Sequence, residues 1–72
     1  MSDKSINKLL GQLIRKHRKE LGLTQEQLAE RVNLSTNFIG MVERGERNTK
    51  FTNVYKLIYA LETNCENFFK GF

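Results

Sequence analysis

Apolar residues recur at three- and four-residue intervals along most of the chain, with polar residues between them. Ile6, Leu9, Leu10, Leu13, Ile14, His17 and Leu21 share one side of a helical projection, and Lys8, Arg15, Lys16 and Lys19 fall largely on the other. This spacing predicts an amphipathic helix from about residue 4 or 5 to residue 21. Gly22 ends it, because glycine takes the left-handed conformation at no steric cost. Thr24 starts a second helix as its cap, and Gln27 three residues later completes a capping box. Leu28, Ala29 and Val32 form its inner side. Asn33 stops it, asparagine being comfortable at positive φ. Ser35 caps a third helix over 36–44, with Phe38, Ile39 and Val42 as its apolar side, and Gly45 terminates it. A polar loop over 46–50 leads to a fourth helix, about 52–61, whose inner face is Val54, Leu57, Ile58 and Leu61. Asn64 caps a short fifth helix, 65–70, carrying Phe68 and Phe69. Five short helices without a strand pattern predict an all-α fold.

Composition narrows the function classes. The chain has 72 residues, room for one domain, and Cys65 is its only cysteine, so no internal disulfide can staple so small a core. Stability must come from tight helix packing, helped by self-association. A lone cysteine fits a reducing, cytoplasmic setting. No apolar run is long enough to span a bilayer, and residues 1–8 do not resemble a signal peptide, so no membrane association is expected. His17 is the only histidine and stands apart from Cys65, so no metal site is expected. No paired carboxylates, nucleophile–base set or phosphate-cradling glycine loop occurs, so neither enzyme activity, a cofactor nor a small-molecule ligand is expected. The formal net charge of +4 suits a polyanionic partner, nucleic acid first.

The most informative stretch is 24–45. Two short helices meet through Asn33-Leu34-Ser35, with a small residue, Ala29, where they approach and Leu34 plugging the turn. A DNA-reading helix-turn-helix is built this way, its second helix entering the major groove. Within 36–44, the residues not needed for packing are Thr36, Asn37, Gly40, Met41 and Arg44. Asn37 can pair with adenine through two hydrogen bonds, and Arg44 likewise with guanine. Thr36 can meet a base edge or a thymine methyl, and Met41 a thymine methyl. Gly40 stands out, since glycine inside a helix costs roughly 1 kcal/mol relative to alanine. Either the backbone approaches the duplex closely there, or a surface site tolerates the loss. Gln25 and Ser35 lie at helix N-termini, where free N–H groups attract phosphate, and Arg47, Asn48 and Lys50 follow the third helix.

The run from Arg18 through Leu23-Thr24-Gln25 and Leu28-Ala29, then Asn33-Leu34-Ser35, then Ile39-Gly-Met-Val-Glu-Arg-Gly-Glu-Arg-Asn48, resembles the Cro/C1-type (XRE) helix-turn-helix family. The likeness continues from Phe51 through Leu61 to Phe69. It implies a five-helix, lambda-repressor-like DNA-binding domain with the second and third helices as the helix-turn-helix, and a transcriptional regulator on double-stranded DNA. It implies that Gln25 meets a phosphate and that Thr36, Asn37, Met41 and Arg44 lie at the groove. It also implies that Arg18 pairs with Glu43, a geometry in which a guanidinium can hold a carboxylate through two bonds. Within the family, Phe38 to Asn48 is similar to the controller proteins of restriction–modification systems, which implies that Phe38, Arg47 and Asn48 lie near DNA. Asn33 and Glu62 stand where the family often has glycine, Thr49 where it often has proline, and Ile58 where alanine is frequent.

Apolar residues are in surplus late in the chain: Tyr55, Tyr59, Phe68, Phe69 and Phe72. They are expected to supply a homodimer interface, and a dimer suits a palindromic operator with half-sites one helical turn apart. The other reading of this surface is an antitoxin-like or other protein-interaction module, with DNA binding secondary. Cys65 is expected to be a half-buried core residue, and His17 to pack beside the first helix.

Overall fold

In a computed structural model, residues 2–72 are described and Met1, part of the N-terminal stretch considered above, lies outside them. The order is α1 (Asp3–Glu20), α2 (Gln25–Val32), α3 (Thr36–Glu43), α4 (Phe51–Ala60) and α5 (Cys65–Phe69), with no strand among the described residues. The ends follow from local chemistry. α1 starts slightly ahead of the expected position because the Ser2 hydroxyl accepts from the Ser5 N–H at 3.2 Å. At α2, the Thr24 hydroxyl accepts from Gln27 N–H at 3.0 Å while the Gln27 side-chain oxygen accepts from Thr24 N–H at 2.9 Å. Asn33 ends that helix at φ 56°, and Leu34 N–H then bonds back to the Ala29 carbonyl at 3.0 Å. Ser35 caps α3 through Phe38 N–H, and Asn64 caps α5 through Asn67 N–H. α4 begins at Phe51, earlier than periodicity suggests, and its cap residue Lys50 gives no side-chain hydrogen bond.

α1 packs on α3, α2 on α3 and α4, and α5 on α4. The shared core is Ile14, Leu28, Ile39, Leu57, Ile58 and Phe68, all essentially inaccessible to water. Ile58 thus takes a full place in the core. Phe68 is its largest member, stacked on His17 at 5.1 Å and meeting Phe69 edge-to-face at 5.1 Å. Wholly buried between His17 of α1 and Phe69 of α5, it cannot belong to the dimer surface expected of it. Ile6 and Leu21, counted above on the apolar face of α1, are exposed. They sit at the two ends of a helix longer than the partner it packs against.

Glu62 takes φ 60°, a left-handed conformation that disfavours any side chain with a Cβ. Its carboxylate meets Arg31 at 3.0 Å, with both side chains largely in water. A surface pair contributes under about 1 kcal/mol, no more than the backbone strain of roughly 1–2 kcal/mol. Glu62→Gly is therefore expected to be at least as stable as the parent. Glu62→Ala, which keeps the strain and loses the pair, is expected to be less stable by about 0.5 kcal/mol. Urea denaturation of the three proteins checks the order, and a Glu62→Gly protein less stable than Glu62→Ala would refute it.

Candidate nucleic-acid interface

α3 is held by its inner side and offers the other to solvent. Ile39, Val42 and Glu43 are buried, whereas Thr36, Asn37 and Arg44 are exposed and Met41 is half-buried. Its orientation is set from α1. The Arg18 guanidinium grips the Glu43 carboxylate through Nε to Oε2 at 2.6 Å and Nη2 to Oε1 at 3.1 Å, and its Nη1 donates to the Leu23 carbonyl at 2.7 Å. Both residues are buried, 8% and 7% exposed. This bidentate pair fixes the end of α3 to α1 and to the loop before α2. Gln25 joins it, donating from Nε2 to Glu43 Oε1 at 3.1 Å. The Gln25 side chain is thus committed inward through its nitrogen.

Gly11 makes the α1–α3 crossing possible. A Cβ there would collide with the Val42 carbonyl oxygen and lie 2.6 Å from that of Glu43, so α1 rides directly on the backbone of the last turn of α3. Sequence reasoning passed over Gly11. The available signal was its place three residues before Ile14 and seven before Arg18, on the buried stripe of α1.

The loop after α3 is fastened at two points. Asn7 of α1 donates to the Asn48 side-chain oxygen at 2.6 Å, and the Arg47 guanidinium lies over the Phe38 ring, 5.5 Å from its centroid. Phe38, Arg47, Asn48, Thr49, Lys50, Thr52 and Asn53 line a shallow polar groove of about 290 Å³ beside the exposed face of α3. The uncapped start of α4 lies in the same groove, and free N–H groups at such an end attract anions. The Thr49 hydroxyl is buried without a partner.

Sequence comparison and structural comparison converge on one group of proteins. The helix-turn-helix family HTH_3 matches residues 14–66. This chain belongs to that family, the Cro/C1-type (XRE) regulators. An uncharacterized HTH-type transcriptional regulator of Methanothermobacter thermautotrophicus is 47% identical over 49 residues, 68% of this chain and 71% of that protein. The control protein C.SmaI of Serratia marcescens is 41% identical over 59 residues, 82% of this chain and 70% of its own. Among solved structures, the restriction–modification controller protein C.AhdI of Aeromonas hydrophila superposes with TM-score 0.84 at 36% identity, over 89% of this chain and 97% of that one. C.Esp1396I, solved as a tetramer with its natural 35 base-pair operator, superposes with TM-score 0.83 at 33% identity, over 89% and 84% of the two chains. The chain is thus a helix-turn-helix transcriptional regulator, and α2 and α3 are its helix-turn-helix.

In this HTH_3 chain, Ser35, Thr36, Asn37, Arg44, Arg47, Asn48 and Lys50 are exposed, and Phe38 and Met41 half-buried. Gly40 is buried: the Arg44 guanidinium and the Gln25 side-chain oxygen lie above it. Arg44 is drawn toward the loop by Glu46, Nε to Oε2 at 3.1 Å, a contact sequence reading left aside. On the far side, Tyr55 and Tyr59 are 53% and 75% exposed, and Phe51, also overlooked, is 67% exposed. The three follow i, i+4, i+8 spacing along α4, a periodicity visible in the sequence. Tyr55 and Tyr59 border a mainly apolar groove of about 600 Å³ with Arg31, Val32 and Lys56. Phe69 is half-buried, and Phe72 is exposed and tilted against it at 5.4 Å. Cys65 is a free, half-buried thiol packed on the core. Among the described residues no group of three or more His, Cys, Asp or Glu could hold a metal ion, and no helix is long and apolar enough to cross a membrane.

Proposed function

We propose that this chain is one cytoplasmic, non-enzymatic DNA-binding domain that reads an operator sequence with α3 in the major groove, as a homodimer on a palindromic site. The carrying observation is the concentration of base-pairing and cationic groups at one face: Thr36 and Asn37 exposed on α3 and Arg44 at its C-cap, with Arg47, Asn48 and Lys50 in the loop beside it. Asn37 is assigned to adenine and Arg44 to guanine, with Thr36 and Met41 meeting base edges or thymine methyls. Ser35, Arg47, Asn48, Lys50 and the first N–H groups of α2, at Gln25, are assigned to phosphates. Phe38 contributes by supporting the Arg47 guanidinium. The operator complex of C.Esp1396I supports this reading by analogy.

The dimer surface is assigned to the outer face of α4, Phe51, Tyr55 and Tyr59, with Phe69 and Phe72 at its edge. Three exposed aromatic rings in one stripe are what self-association buries. The same groove also suits an apolar segment of another protein, as in an antitoxin.

Selection from a random duplex library, with light-scattering mass of the free protein, tests the proposal. The expected result is one enriched palindromic motif and a mass of two chains of 8.4 kDa. Asn37→Ala is expected to relax preference at one base pair per half-site, at a cost of about 1–3 kcal/mol. Arg47→Ala is expected to weaken binding to all sequences and reduce the salt slope by about one. A folded protein that enriches no motif would sink the reading. A monomer with a stoichiometric protein partner would favour the interaction module instead.

A further inference from the structure

Gly40 and Glu46 have no part in the contacts assigned so far, yet both touch Arg44. A Cβ built on Gly40 would lie 3.1 Å from Arg44 Nη1, 3.9 Å from its Cζ and 3.6 Å from Gln25 Oε1. Arg44 follows Gly40 by four residues, one helical turn, and a helical side chain leans back toward the N-terminus of its helix. The guanidinium therefore lies close over the bare backbone of Gly40, where a methyl group would push it aside by a few tenths of an ångström. From the other side Glu46 Oε2 takes Arg44 Nε at 3.1 Å. Both partners of that pair are more than half exposed, 55% and 56%, so it adds little to stability. Its consequence is geometric. With the carboxylate paired on the Nε side of the guanidinium, the two terminal nitrogens remain as a fork, the arrangement that pairs with O6 and N7 of guanine.

We infer that Gly40 and Glu46 are positioning residues that hold Arg44 in its guanine-reading conformation before DNA arrives, and so set the strength of discrimination at one base pair. The inference rests on the reading of α3 as the DNA-facing helix. A flexible arginine would have to be ordered on binding, and it could satisfy itself on a phosphate instead. A seated one meets the base without that loss, and Glu46 opposes its drift to the backbone by repelling phosphate. Glycine within the helix is then explained by the volume it leaves empty rather than by approach of the duplex.

The test compares base preference, position by position, for the parent, Arg44→Ala, Gly40→Ala, Glu46→Ala and Glu46→Gln, using the full chain and the enriched duplex. Arg44→Ala identifies the position that Arg44 reads. Gly40→Ala is expected to fold at least as stably as the parent, since alanine favours helix and the atoms it displaces end a flexible side chain. It is expected to lose about tenfold in preference for guanine at that same position, with other positions and the salt slope unchanged. Glu46→Ala is expected to lose preference there too, while binding random duplex more tightly because a negative charge has gone. Glu46→Gln, which keeps an oxygen of the same reach beside Nε without the charge, is expected to share the tighter random binding but retain most of the preference. The inference is overturned if Gly40→Ala keeps the parent's profile, or if its loss spreads evenly over all positions. It is also overturned if Glu46→Ala and Glu46→Gln behave alike, which would leave Glu46 a role in charge only. A parent that enriches no motif overturns the DNA-reading assignment of α3 itself, and this inference with it.

Discussion

Glu43→Ala is expected to lower the stability of this protein by about 3–5 kcal/mol, the cost of leaving the partner of a buried ion pair uncompensated. For 72 residues the whole stability is of order 4–11 kcal/mol, so this one carboxylate decides whether the fold is well populated. The midpoint of thermal unfolding should fall by at least about 12 °C, at 4–8 °C per kcal/mol for a chain of this size. The Arg18 guanidinium is the reason. It gives two hydrogen bonds to Glu43 and one to the Leu23 carbonyl, and without Glu43 its charge stays buried with a single neutral acceptor. The loss should persist in high salt, because a buried pair is screened far less than a surface one. Arg18→Met combined with Glu43→Leu should recover most of it, since two apolar side chains of similar volume can replace such a pair. Calorimetry of the single and double variants checks this. A Glu43→Ala protein melting within about 4 °C of the parent would mean the pair is not buried as described.

Gly11→Ala is the second large effect. The new methyl would run into the main-chain carbonyls of Val42 and Glu43, which cannot swing aside as a side chain can. Overpacking costs about 1–3 kcal/mol and occasionally more, and a backbone obstacle belongs at the upper end. Alanine's better helix propensity returns at most about 1 kcal/mol. We expect a net loss of about 2–3 kcal/mol, or a melting point lower by roughly 10–20 °C. Gln12→Ala, one residue away and exposed, should change stability by less than about 0.5 kcal/mol. Because α1 sets the position of α3, Gly11→Ala should also weaken DNA binding beyond what unfolding explains. Equal melting points for Gly11→Ala and Gln12→Ala would show that the two helices separate easily.

Much of this protein follows from local rules. Thr24 with Gln27, Ser35 and Asn64 mark helix starts because short polar side chains satisfy free N–H groups, and no distant residue is needed for that. Asn33 ends α2 at positive φ for an equally local reason. Apolar spacing identified most of the core, including Leu28, Ile39, Leu57 and Ile58, because burial on one helical face repeats with the turn. The polar outer positions of α3 were legible by subtraction from that same pattern.

Other features became visible only when the helices were placed together. Whether Phe68 lies inside or outside depends on the gap that α1 and α4 leave for α5, which no periodicity measures. The meaning of Gly11 depends on which backbone crosses it, and that of Gly40 on where Arg44 comes to rest. The Gln25 nitrogen turns inward because the fold brings Glu43 beside it, eighteen residues away in the chain. By itself the amino-acid order determines five helices, their caps and their inner faces, since these arise from interactions within one or two turns. The tertiary structure alone decides which glycine is a crossing, which arginine is seated and which aromatic ring is exposed, since these are set by side chains far apart in the chain meeting at distances of a few ångströms.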